Sequence, residues 1–80
     1  MSLNRLELQR PGTIVSVSGR NALAQRLMAM GFLPGASVKV VQVAPFGDPI
    51  TVELEGWRVS LRRAEAETLR VRAEGEGSRS

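Results

Sequence analysis

The segment Arg26–Gly35, RLMAMGFLPG, constrains this chain more than any other, because it ends a helix, turns twice and launches a strand. Leu23, Leu27 and Met30 recur at helical spacing over about Arg20 to Met30. With Ala24 and Met28 beside them they form one apolar face, and Gln25, Arg26 and Ala29 lie opposite. Ser18 is placed to cap the first turn. Gly31 stands where a helix end wants a residue in the left-handed region, Phe32 is the residue that folds back onto Leu27, and Pro34 forbids resumption of the helix. Leu33-Pro34-Gly35-Ala36 then fits a type II turn, since Pro presets φ at its second position and Gly supplies φ > 0 at its third. Met30, Gly31, Phe32, Pro34 and Gly35 therefore form a structural motif.

The remaining segments read as strands that can pack on this helix. Leu3, Leu6 and Leu8, in Met1 to Arg10, cover one end of a barrel, and Pro11-Gly12 is a turn. Thr13 to Ser18 alternates as a first strand. In Ser37 to Ala44, Val38 and Val40 point one way and Val41 and Val43 the other, so the second strand needs a bulge or tight coiling between Val40 and Val41. Ala44-Pro45-Phe46-Gly47-Asp48-Pro49 is a punctuated loop. In Ile50 to Arg62 a turn centred on Glu55-Gly56 sets Leu54 opposite Trp57, Val52 opposite Val59 and Ile50 opposite Leu61, all facing the core. The other face matches Glu53 with Arg58 and Thr51 with Ser60. A two-residue turn would put Glu55 at strained positive φ, and a four-residue loop of the same parity serves equally. Arg63 to Glu67 makes one helical turn, in which Arg62 and Glu65 can pair at three-residue spacing. Leu69 and Val71 then alternate with Arg70 and Arg72 in a closing strand. The expected fold is mostly β, a small, partly open five-stranded barrel over residues 1–73 with one helix inserted between the first two strands. Residues 74–80 are expected to be a disordered tail.

Composition removes several functions. The 80 residues include no His and no Cys, which excludes the usual zinc ligands and disulfide staples. No apolar run approaches a membrane span and no signal segment leads the chain, so direct membrane insertion is not expected. The net charge is +3, but the arginines are scattered among Glu residues and form no basic stripe. The nucleophile pairing left for catalysis is Ser37 with Lys39, with no orienting third group, so no catalytic residues are assigned and an enzyme is not expected. Glu53 and Glu55 share a face, but Arg58 is placed to neutralise Glu53. No metal site and no required cofactor are assigned, and only adventitious divalent ions on surface carboxylates are foreseen. Asp48 either caps its own loop's amides or receives a cation.

The segment RLMAMGFLPGASVKVVQVAPFGDPITVELEGWRVSLRRAEAETLRV closely resembles the ferrous iron transport protein A (FeoA) family, whose pattern is RL…MGF.PG..V.V...AP.GDP..V...G....LR..EA..I.V. Arg26, Leu27, Met30–Phe32, Pro34, Gly35, Val38, Val40, Ala44, Pro45, Gly47–Pro49, Val52, Gly56, Leu61, Arg62, Glu65, Ala66 and Val71 fall on it, and Leu69 replaces the usual Ile. The resemblance implies an SH3-like barrel, a cytoplasmic location in a bacterium, and a non-enzymatic accessory role. The implied partner is the membrane ferrous iron transporter FeoB, which the protein would bind and modulate at its cytoplasmic, GTPase-bearing part. The same domain type is appended to metal-dependent repressors. A small-barrel nucleic-acid binder is the alternative from another class. Such binders stack bases on aromatic platforms, whereas this chain offers only Phe32, Phe46 and Trp57, with Phe32 and Trp57 expected in the core, so no specific nucleic acid is expected. Self-association is left open.

Two surfaces are candidates for partner contact. The first is the loop Ala44, Pro45, Phe46, Gly47, Asp48 and Pro49, where turn chemistry and contact explain the prolines and glycine equally well, but folding alone does not ask for an exposed Phe46. The second is the outward helix side, Ala22, Gln25, Arg26 and Ala29, whose alanines admit close approach.

Overall fold

The double turn has the geometry its residues demand. In the computed structural model, which describes residues 1–19 and 21–75, Gly31 takes φ 112° and Gly35 φ 94°. The Gly31 N–H donates to Met28 O at 3.0 Å and the Phe32 N–H to Leu27 O at 3.1 Å, the pair of bonds that closes a Schellman cap. Phe32 is fully buried, a gain of about 2 kcal/mol. The Ala36 N–H reaches back to Leu33 O at 3.0 Å across Pro34-Gly35, as a type II turn requires. Upstream, α1 is Ala22–Ala29 and its cap is Asn21, whose Oδ1 accepts from the Ala24 N–H at 3.0 Å. Ser18 is not the cap: it ends the strand segment, its N–H donates to Thr68 O at 2.8 Å, and Gly19 turns the chain before the helix begins. Arg20, the expected first helical residue, lies outside the described residues. The apolar face is narrower than expected, with Ala24 and Leu27 buried while Met28 and Met30 are 37% and 41% exposed.

A 3-10 turn at Leu3–Arg5 precedes β1, Pro11–Val17. After α1 come β2, Ser37–Val43; β3, Ile50–Leu54; β4, Trp57–Leu61; the short helix α2, Arg63–Glu67; and β5, Leu69–Ala73. They form one antiparallel sheet in the order β4-β3-β2-β1-β5. The two outer strands do not pair, so the barrel is open, as its partly open description allows. Pro11-Gly12 opens β1 instead of forming a turn. A Cβ on Gly12 would lie 3.0 Å from Leu6 Cδ2 and 3.2 Å from Arg72 O, so the absent side chain lets Leu6 sit on the strand. Leu3 and Leu6 do close that end, while Leu8 is exposed.

The register of β2 against β3 shifts between Val40 and Gln42, which is the bulge that the valine switch calls for. The β3–β4 hairpin has the parity-derived register throughout, Ile50↔Leu61 to Leu54↔Trp57. Its turn is the two-residue form. Glu55 accepts φ 48° beside Gly56 at 89°, and two bonds to Ser37 hold it there: the Glu55 N–H donates to Ser37 O at 3.1 Å, and Glu55 Oε2 accepts from the Ser37 N–H at 2.7 Å. The core-face assignment fails at the strand's start, because Trp57 is 75% exposed and only Leu61 of β4 is fully buried. β5 ends at the buried Ala73, and the Glu74 N–H donates to Pro11 O at 2.8 Å. Of the expected tail, residues 76–80 lie outside the described residues. Among the described residues no helix is long and apolar enough to cross a membrane.

Candidate functional site

Both candidate surfaces border one groove. It is about 550 Å³ and lies where α1, the β2–β3 loop and the β4–α2 corner converge. Arg26 and Met30 line it from the helix end, Asp48 and Pro49 from the loop, and Ser60, Leu61, Arg62 and Glu65 from the third side. Of the expected contact residues, Arg26, Asp48 and Pro49 therefore meet. Ala44, Pro45, Phe46 and Gly47 sit beyond the groove on the loop, and Ala22, Gln25 and Ala29 continue along the exposed helix side.

The groove is fastened by charge. Arg26 pairs with Glu65 Oε2, and the other carboxylate oxygen of Glu65 accepts the Arg62 N–H at 2.9 Å. The expected side-chain pairing of Arg62 with Glu65 is thus replaced. Arg62 gives only its backbone N–H at the start of α2, and the guanidinium comes from α1, far away in sequence. That partner was hidden because short spacing offered a nearer one, although Arg26 and Glu65 both belong to the family pattern. Met30, assigned to the structural motif, adds an apolar wall.

The loop is anchored to the same helix. Asp48 Oδ1 accepts from the Arg63 N–H at 3.2 Å, so its carboxylate caps α2 and not its own loop. The Arg63 side chain donates to Gly47 O at 3.4 Å, and the Gly47 N–H to Ala44 O at 2.7 Å. Phe46 rides on this tied frame at 97% exposure, with no strand or helix face to cover it.

Lys39 Nζ lies 4.0 Å from Glu53, and among the described residues no hydrogen bond joins it to Ser37. Glu53 accordingly pairs with Lys39 and not with its cross-strand neighbour Arg58. Among the described residues no group of three or more His, Cys, Asp or Glu could hold a metal ion.

The FeoA domain model matches residues 1–73. The chain is 38% identical over 71 residues to the Fe(2+) transport protein A/Fe(2+) transporter FeoB fusion protein of Porphyromonas gingivalis, covering 89% of this chain and 8% of the fusion. It is 32% identical over 71 residues to a Campylobacter jejuni protein provisionally named Fe(2+) transport protein A, covering 89% of this chain and 96% of that one. Among solved structures, the zinc complex of Stenotrophomonas maltophilia FeoA, described as a prokaryotic SH3 domain protein, superposes with a TM-score of 0.80 at 33% identity, covering 90% of this chain and 89% of that one. A manganese-dependent transcriptional repressor shares the fold alone, with a TM-score of 0.82 at 19% identity, 91% of this chain and 36% of that one.

Proposed function

The chain belongs to the FeoA family, with an SH3-like fold, and on that premise we propose that it is a cytoplasmic, non-enzymatic accessory of bacterial ferrous iron uptake. It binds the cytoplasmic part of a FeoB-type transporter and modulates it. The observation that carries the choice of partner is the Porphyromonas gingivalis fusion, in which a FeoA segment and a FeoB transporter share one polypeptide. Covalent linkage of that kind raises the effective concentration of two modules that act together. The groove supports a binding role through its mixed-charge rim of Arg26, Asp48, Arg62 and Glu65 and its apolar wall. No cofactor is required by this reading.

The contact is assigned to the Ala44–Pro49 loop with the outward side of α1. An aromatic anchor at the centre of an interface commonly contributes about 2 kcal/mol or more. The test is Phe46→Ala, followed by its thermal midpoint and by ferrous iron uptake in a strain lacking the protein. Lost uptake with an unchanged midpoint is expected, because a ring at 97% exposure contributes little to folding. Full uptake would remove the loop from the interface.

A further inference from the structure

The two edges of the sheet are finished differently. At β5 the N-terminal segment lies along the strand: the Val71 N–H donates to Met1 O at 2.7 Å, the Met1 amino group donates to Val71 O at 3.1 Å, and Ser2 bridges to Arg70. That edge is covered. At β4, the last strand at the other end of the sheet, the ladder stops among the described residues. Leu54 and Trp57 flank a two-residue turn and exchange hydrogen bonds, and in an antiparallel ladder every second pair does the same. Trp57, Val59 and Leu61 therefore aim their peptide groups at β3, and Arg58 and Ser60 aim theirs away from the sheet. An uncovered edge of this kind is a template for another strand.

We propose that the β4 edge receives an extended, acidic segment of the protein partner as an added strand, with Trp57 as its apolar anchor. This deepens the accessory reading and rests on it, since it names the form of the partner's docking segment. Three observations favour such an occupant. Trp57 stands 75% exposed at the start of the edge, where an alternate apolar residue of an added strand would meet it. Of the acids near the edge, Glu53 and Glu65 are ion-paired with Lys39 and Arg26 while Asp48 and Glu55 accept the Arg63 and Ser37 N–H groups, and among the described residues Arg58 and Arg62 are cations of this edge without an ion pair. Ser60, Leu61 and Arg62 also line the groove, so a strand on β4 runs directly into it. A second copy of this chain fits less well. Antiparallel pairing of β4 with itself sets Arg58 opposite or diagonal to its own counterpart with no acid between them.

The test compares wild type with Trp57→Ala, Arg58→Gln and Ser60→Pro. The last removes only an outward N–H, a change that edge strands accept. Two ligands are used: the isolated cytoplasmic part of the transporter, and a peptide of alternating Glu and Val with its Lys-Val counterpart as control. Amide exchange at Arg58 and Ser60 is expected to slow about tenfold with the transporter part and with the Glu-Val peptide, and to stay unchanged with Lys-Val. Each variant should weaken binding of both active ligands about tenfold while staying folded, with a melting midpoint at most a few degrees below wild type. Should Ser60→Pro fail to fold, the two side-chain variants and the wild-type exchange rates decide the matter. Protection by the Glu-Val peptide without any binding of the transporter part would sink the accessory reading and keep the docking mode. Tight binding of the transporter part that leaves both amides exchanging freely and all three variants unaffected would overturn the docking mode and keep the accessory reading. Protection of the same amides without ligand, rising with protein concentration, would overturn it in favour of self-pairing.

Discussion

Gly31 and Gly35 both hold positive φ, yet a side chain would meet different obstacles at each. At Gly35 a Cβ has nothing within 4 Å, so Gly35→Ala reports backbone strain alone, about 1 kcal/mol. At Gly31 the same strain is joined by an approach of 3.3 Å to Leu54 Cδ2, so Gly31→Ala should cost more. In a domain of this size 1 kcal/mol lowers the melting midpoint by about 4–8 °C. Thermal melts should therefore rank wild type above Gly35→Ala and Gly35→Ala above Gly31→Ala; midpoints equal to wild type would dismiss the double turn. Trp57 reverses an expectation at this same scale. Alternation assigns it to the core side of β4, and its pairing with Leu54 is as deduced, but among the described residues no element lies over that end of the hairpin to bury it. Trp57→Ala should then cost about 1 kcal/mol or less, against the 3–5 kcal/mol typical of a buried ring.

Among the elements, α1 and α2 are joined mainly through one carboxylate. Glu65 is only 18% exposed at its side chain, and it serves the Arg26 guanidinium and the Arg62 N–H together. Glu65→Ala removes a helix-start acceptor and the tie to α1, a loss of about 1 kcal/mol by analogy with other cap deletions. Arg26→Ala should cost less, because its side chain is 60% exposed and solvent screens the pair. Denaturant unfolding of the two variants checks the order, and equal losses would show that the cap contributes nothing beyond the ion pair. The same comparison shows what the sequence could and could not disclose. The C-terminal cap of α1, the Pro34-Gly35 turn, the β2 bulge and the β3–β4 register were legible, because each follows from local residue chemistry or from the two-residue period of a strand. The Arg26 to Glu65 tie was not, because nothing local distinguishes it from the nearer Arg62, and the groove it closes was hidden for the same reason. Ser18 and Asn21 are both good cap residues, and only the path of the chain through Gly19 makes Asn21 the cap. Phe46 was legible as exposed, since prolines and a glycine around it deny it any strand face.

Across the whole molecule, the arginines raise the isoelectric point without building a basic surface. The sheet's outer face carries a row in which Arg58 lies opposite Glu53 and Glu53 opposite Lys39 in the register of three neighbouring strands, so the sign alternates along it. Arg10 lies 3.6 Å from Glu7 and Arg26 is bound to Glu65, which takes two more cations out of any common patch. Arg70 and Arg72 remain outward on β5, and Arg58 and Arg62 stand on and just after β4, a strand that does not neighbour β5 in the sheet. The aromatics divide in the same way. Phe32 is buried, while Phe46 and Trp57 are both exposed, so one more ring is accessible than the sequence suggested, but the two are carried on separate loop and edge positions. A nucleic-acid binder would need many simultaneous phosphate contacts, each adding to the steepness with which affinity falls as salt rises. With labelled single- and double-stranded oligonucleotides at physiological salt, association should be weak, indifferent to sequence and abolished by modest added salt. Sub-micromolar affinity with a sequence preference would contradict the accessory role, because it would require a continuous cationic track that the alternating outer face of this sheet does not supply.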